Sequence, residues 1–369
     1  MARKQIGKTS AEGSFFSVLK KPRHALEVNE LATLFQSVNK TRVDSLAAAL
    51  TKYIGGNLPR AIDNRQGIAD YRTNPYVLLT SAHVMRLDDP ARLADFLFNN
   101  KLYMGLETSF GKSIEAAFVG AYPLARRAKP WGDSPEKVAE ARSLAGLTRE
   151  DRAKKRILSV WREIDKSCVV GTRRYMVSIK SGPNCINDTQ VQGMTQAILE
   201  HHSQWMQETK RTYPNVTQLD IVIGITYGTE KTTNNKENQI LVKLLDHGFV
   251  EEDRTHKPGV LIDKATNSIR VYRCVGQEFW GFIGNPSDPT SARFVFLEVL
   301  LALAKALEQV NGEADLEARI NARIQALMLG FQNVLLKPHT FPDWVRADFT
   351  EKHLFWLTTA MTAFYDHGV

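Results

Sequence analysis

The chain reads as an α/β protein: a mixed central β-sheet flanked by helices, with helical additions at both ends. Three observations predict it. Period-two alternation is confined to the middle of the chain, in LSVWREIDKSCVV, RRYMVSIKS, TQLDIVIGITYG and SIRVYRC. One helical segment, DTQVQGMTQAILEHHSQWMQETK, separates the second strand from the third, which makes a β-β-α-β core. Both flanks of this core carry apolar residues spaced three and four apart, the period of a half-buried helix.

Taken in order, HALEVNELATLFQSVNK, VDSLAAALTKYI, PYVLLTSAHVMRL and PARLADFLFNNKL are helices, with GGNLPR and RTNP as breakers. Residues 126–156 are polar and charge-rich, and read as helical pieces, largely exposed, that form a solvated surface, with phosphate contact by their lysines and arginines as the alternative. The four strands follow, the later ones interrupted by NNKENQILVKLLDHGFVEEDRTHKPGVLIDK, a helix and a turn-rich hairpin. After NPSDPTSAR the chain is helical again, through FVFLEVLLALAKALEQVNG, DLEARINARIQALMLGFQNVLL and FTEKHLFWLTTAMTAFYDH. The division is therefore a helical region 1–101, a core 102–291 with an insertion at about 229–266, and a helical region 292–369.

With 369 residues, 43% apolar and 24% charged, the composition is that of a soluble globular protein. No apolar run approaches the roughly 18–20 residues of a membrane span, and MARKQIGKTSAEG lacks the apolar stretch of a signal peptide, so a cytoplasmic protein is expected. Cys168, Cys185 and Cys274 are scattered without CxxC spacing and predict buried thiols. A net charge of +8 and a pI near 9.3 favour an anionic partner.

The first two strands meet at VGTR, where Gly171 can take a turn conformation. A hairpin symmetric about Gly171 and Thr172 sets Asp165 opposite Ser178 and Glu163 opposite Lys180. These four then share one sheet face, with Ile164, Val177 and Ile179 on the other, unless a bulge intervenes. A surface hairpin with cross-strand ion pairs satisfies the same spacing. SGPN ends the second strand sharply, just beyond Lys180.

A strand bearing Asp, a hairpin, a strand with a lysine near its end, then a helix and further strands resembles the PD-(D/E)XK nuclease core. YMVSIKSGPN, with LETSFGKSIE upstream and GQEFWGFIG downstream, is similar to a branch of type II restriction endonucleases over about residues 102–284. The resemblance implies that Asp165 and the Ile179 carbonyl hold Mg²⁺, whose hard-oxygen preference suits them, and that Lys180 orients the attacking water. It also implies hydrolysis of double-stranded DNA at a specific palindrome by a homodimer, in a restriction-modification system with a cognate DNA methyltransferase. A DNA-binding protein on an inactive scaffold and a repair or recombination nuclease are the alternatives.

Ser178 departs from the superfamily pattern, because a neutral hydroxyl stands where a carboxylate is expected. By resemblance to the family's Gly-x-x-x-Glu helix, Glu115 in FGKSIEAAFVGAY is the foremost replacement; Glu200 on the helix after the lysine and Glu163 are the others. FGKS is not a P-loop, since Leu106 stands where the pattern requires glycine. Sequence reading is assigned to Asn235, Lys236, Asn238 and Gln239 of the insertion, amide and basic side chains that suit base edges, and otherwise to the loop bearing Asn184, Asn187 and Gln190.

Overall fold

The computed structural model describes residues 28–364 apart from 66, 72–73, 183–185, 230–234, 254–258 and 336–340. The helices α1 (Val28–Ser37), α2 (Lys40–Asp63), α3 (Pro75–Met85) and α4 (Pro90–Ala117) come first, followed by α5 (Pro135–Ser143) and α6 (Arg149–Ile157). The sheet is built from β1 (Lys166–Val170), β2 (Arg173–Lys180), β3 (Gln218–Ile225), β4 (Val250–Glu252), β5 (Leu261–Asp263) and β6 (Ile269–Val275). α7 (Asp188–Thr212) joins β2 to β3, and α8 (Lys236–Asp246) precedes β4. α9 (Gln277–Gly284), α10 (Val295–Ala314), α11 (Leu316–Leu335), α12 (Asp343–Asp348) and α13 (Glu351–Phe364) complete the chain.

The strands lie in the order β1-β2-β3-β6-β5-β4. β2, β3 and β6 run parallel, while β1 and β5 pair antiparallel with their neighbours, so the sheet is mixed. The insertion contributes the hairpin β4–β5 at the far edge. Alternation along the central strands feeds two cores. Tyr175, Val177, Val222 and Cys274 face α2, α4, α9 and α10; Met176, Ile221, Ile223 and Val271 face α7 and α8. Gly224 carries no side chain because the Phe279 ring of α9 would lie 2.3 Å from its Cβ. As expected, the GQEFW aromatics are core: Phe279 and Trp280 are buried.

The outer helices are tied in through one buried carboxylate. Arg42 of α2 grips Glu298 of α10 with two hydrogen bonds of 3.0 and 2.8 Å, and the Tyr122 hydroxyl donates to the same group. A buried anion is tolerated when its lone pairs are filled in this way.

The hairpin has the expected register, with Lys166 opposite Val177 and Val170 opposite Arg173, and Gly171 at φ +59°. It is shorter than its sequence suggests. Residues 158–163 form a turn, because Trp161 and Ile164 drop into the core beneath α7 beside Trp205 and Met206. The Asp165 N–H then bonds the Val177 carbonyl at 2.8 Å, although Val177 is already the partner of Lys166. Two residues against one make a bulge. It places Ile164 on the Met176 side of the sheet, where Val177 and Ile179 are not, and the expected single polar face splits.

Candidate active site

Beyond Lys166 the edge of β2 has no partner strand among the described residues, and Asp165 fills the gap with its side chain. Its Oδ2 accepts the Ile179 N–H at 2.7 Å. In an extended strand a residue's N–H and C=O point the same way, so the Ile179 carbonyl shares that edge with the Asp165 carboxylate. Lys180 projects to the α7 side, where its Nζ lies 3.9 Å from Glu163 Oε2. The predicted ladder pairing of Glu163 with Lys180 is not formed, because the bulge ends the ladder at Lys166 and Glu163 stands in a turn; the two side chains still come near each other. Gly193 of α7 lies alongside Glu163, whose Oε1 would sit 3.7 Å from a Cβ there, an ordinary contact.

Glu115 arrives from the opposite side of the sheet, on α4. Phe110 and Ile114 of that helix pack into the core, and Gly111 lets the helix touch Ser181, the residue after Lys180. One turn further, Glu115 comes within 3.5 Å of Lys166 Nζ. Burial raises the pKa of its carboxyl, and the negative charge of Asp165 raises it further, against the opposing pull of Lys166 and Lys137. Two carboxylates thus stand together at a strand edge, with Lys166 and Lys137 beside them. Among the described residues no three His, Cys, Asp or Glu side chains converge as a preformed metal cluster. Mg²⁺ does not need one: it is commonly held by one or two carboxylates with waters and phosphate oxygens. Asp165, Glu115 and the Ile179 carbonyl fit that donor set.

Ser178 is buried, and its Oγ has no hydrogen-bond partner among the described residues. It supplies no charge. Glu200 is not brought to the site: its side chain is 52% exposed and bonds Gln196 of the same helix. The FGKS residues lie within α4, which leaves no loop to cradle a phosphate.

Among the proposed reading residues, Asn187 and Gln190 spend their side chains on a reciprocal capping box at the start of α7. Asn184 lies outside the described residues. Asn235 has a left-handed backbone at φ 61° and accepts from the Asn238 amide, while Lys236 pairs with Asp188 of α7. Gln239 is exposed. The insertion therefore opens beside the N-terminus of α7, and α8 buries Ile240, Leu241 and Leu244 against the sheet.

The exposed polar segment before the sheet contributes more than a solvated surface. Its Ala128 and Gly132 bridge to Val170 and Ser167 along β1. Asp133 then bonds Lys166 at 2.7 Å, and Lys137 donates to the Ile164 carbonyl at 2.6 Å with its Nζ 3.9 Å from Asp165. Buried Arg174 of β2 fixes this turn by a two-pronged bond to Glu136, at 3.0 and 2.8 Å. Burial opposes the charge of Glu136, but the bonds from Arg174 and Ser134 outweigh it and hold the carboxyl at a pKa of about 2. The only signal for this turn in the sequence is DSPE, a helix start.

Residues 152–305 match the family model described as Type II restriction endonuclease EcoO109I. Over this span the chain is similar to the type II restriction endonucleases. The matched span takes in Asp165, Ile179 and Lys180, and all of the sheet. Glu115, Asp133 and Lys137 precede it, and only the fold brings them to the core. No curated protein matches the chain.

Proposed function

We propose that the chain is a Mg²⁺-dependent endonuclease that cuts both strands of double-stranded DNA at a short palindrome, as a homodimer, alongside a cognate methyltransferase. The observation that carries this reading is the edge of β2: Asp165 bonded to the Ile179 N–H, the Ile179 carbonyl beside it, and Lys180 as the next residue. In a family of DNA-cutting enzymes, that group has the chemistry of phosphodiester hydrolysis. Asp165, Glu115 and the Ile179 carbonyl would hold the ion, which when bound stabilises charge on the phosphate and acidifies its water. Lys180 holds the attacking water and offsets charge growing on the phosphorus oxygens. Glu163, across from it, keeps the ammonium aimed. Glu115 supplies the negative charge that Ser178 lacks. A twofold dimer presents one such site to each strand of a palindrome.

The test is cleavage of plasmid and genomic DNA with Mg²⁺, followed by mapping of the ends. Asp165→Ala and Lys180→Ala should abolish cutting while leaving specific DNA binding within roughly tenfold, about 1.4 kcal/mol. Cutting at the wild-type rate by either variant refutes the site. Sequence-specific binding without cutting, by the wild-type chain, favours an inactive scaffold. One chain per duplex in sedimentation on cognate DNA contradicts the dimer and favours a nicking or repair enzyme.

A further inference from the structure

Lys137 sits badly for the helix that carries it. Ser134 caps α5, Pro135 follows, and Lys137 occupies the third helical position, with its N–H 3.5 Å from the Ser134 Oγ. That end of a helix carries the positive pole of the dipole and favours acids, so a lysine there works against helix stability. A residue that breaks a local preference while held rigidly is a candidate for function. The rigidity is plain: the preceding residue, Glu136, is clamped by buried Arg174, and Thr212 of α7 bonds it as well at 3.0 Å.

The ammonium so placed faces Asp165, one of the two carboxylates the metal reading depends on. Lys166 is committed to Asp133 and Glu115, and Lys180 lies against Glu163. Lys137 lies 3.9 Å from Asp165 Oδ1, the oxygen not bonded to Ile179. That separation is too long for a hydrogen bond, and the short bond of Lys137 goes to the Ile164 carbonyl. Its side chain is 34% exposed, so the ammonium has an exit to solvent. We propose that Lys137 is a resident counter-ion of Asp165, which balances the site without metal and which a divalent cation must displace electrostatically to occupy it. The inference rests on the metal reading above. It assigns Lys137 to tuning metal affinity, not to the chemical step.

The experiment is calorimetric titration of the DNA-free full chain with Mn²⁺, comparing wild type, Lys137→Met, Lys137→Arg and Asp165→Ala. Removing a unit charge at this distance should tighten Mn²⁺ binding by at least about tenfold in Lys137→Met. Lys137→Arg, which keeps the charge, should stay near wild type, and Asp165→Ala should lose the site. A merely structural lysine predicts the opposite sign, since loosening the turn weakens the site. Mn²⁺ binding unchanged or weaker in Lys137→Met overturns the proposal and leaves the metal reading standing. Absence of binding by wild type and Lys137→Met alike, with cognate duplex added as well as without, overturns both together.

Discussion

Replacing Gly111 by alanine should disable the site without unfolding the protein. A Cβ at this position would stand 2.4 Å from the Ser181 Cβ and 3.1 Å from its Oγ. Carbon atoms are at ease near 3.5–4.0 Å, so α4 and the end of β2 must part by more than about 1 Å. Neither side yields cheaply: Phe110 and Ile114 are packed into the core, and Ser181 directly follows Lys180 in the chain. Overpacking of this kind costs about 1–3 kcal/mol, a loss a large core can bear. The catalytic loss is greater. Glu115 is one turn beyond Gly111, Lys180 is one residue before Ser181, and a displacement of about 1 Å between such groups costs on the order of 100-fold in rate. The assay is single-turnover cleavage with enzyme in excess, run beside thermal unfolding. Gly105→Ala is the control on the same helix, because its Cβ would meet only the tip of the Arg65 side chain, at 3.0 Å. Cleavage by Gly111→Ala within about threefold of wild type, at an unchanged Tm, refutes the idea that close approach of α4 places Glu115.

Three further outcomes are expected. Arg174→Met leaves the buried Glu136 without its partner and should cost about 3–5 kcal/mol in urea unfolding. The folded pKa of Glu136, about 2, is depressed below its ordinary 4.5; its contribution is full above about pH 4.5 and is lost as pH falls toward 2, so Arg174→Met should also flatten that acid limb. For Glu115 the sign reverses: its folded pKa is raised, the native state holds a proton the unfolded state releases, and stability falls as pH rises from 4.5 through the folded value. Glu115→Gln should therefore raise the Tm of the metal-free chain at neutral pH while cutting poorly, and an unchanged Tm would count against the repulsion with Asp165. Finally, Asn187→Ala should lose about 1 kcal/mol of helix stability with specificity retained, whereas Gln239→Ala should cost roughly 1–3 kcal/mol on cognate DNA alone; equal weakening on random duplex would remove Gln239 from sequence reading.

The sequence by itself determined whatever depends on local periodicity and short-range pairing. Strand alternation, the turn at Gly171 and the interposed helix settle the β-β-α-β core, and the hairpin's symmetry sets the register from Lys166 opposite Val177 to Val170 opposite Arg173. The sites of the glycines are legible too, but not their reasons: that Gly111 faces Ser181, Gly193 faces Glu163 and Gly224 faces Phe279 depends on which elements stack. The bulge at Asp165 is the clearest divide. Alternation alone places Asp165 on a sheet face; the pull of Trp161 and Ile164 into the core under α7 turns it to the strand edge, where it bonds the Ile179 N–H. Burial of two large apolar side chains outweighs one residue of strand pairing, and no window of sequence contains both sides of that comparison. Asp133 and Lys137 show the same limit. They lie in a stretch whose composition is that of a solvated surface, and they become part of the site because Arg174, far along the chain, cannot be buried without Glu136. Local periodicity is written in neighbouring residues; the compensation of buried charge is a relation between distant ones, which only the tertiary structure decides.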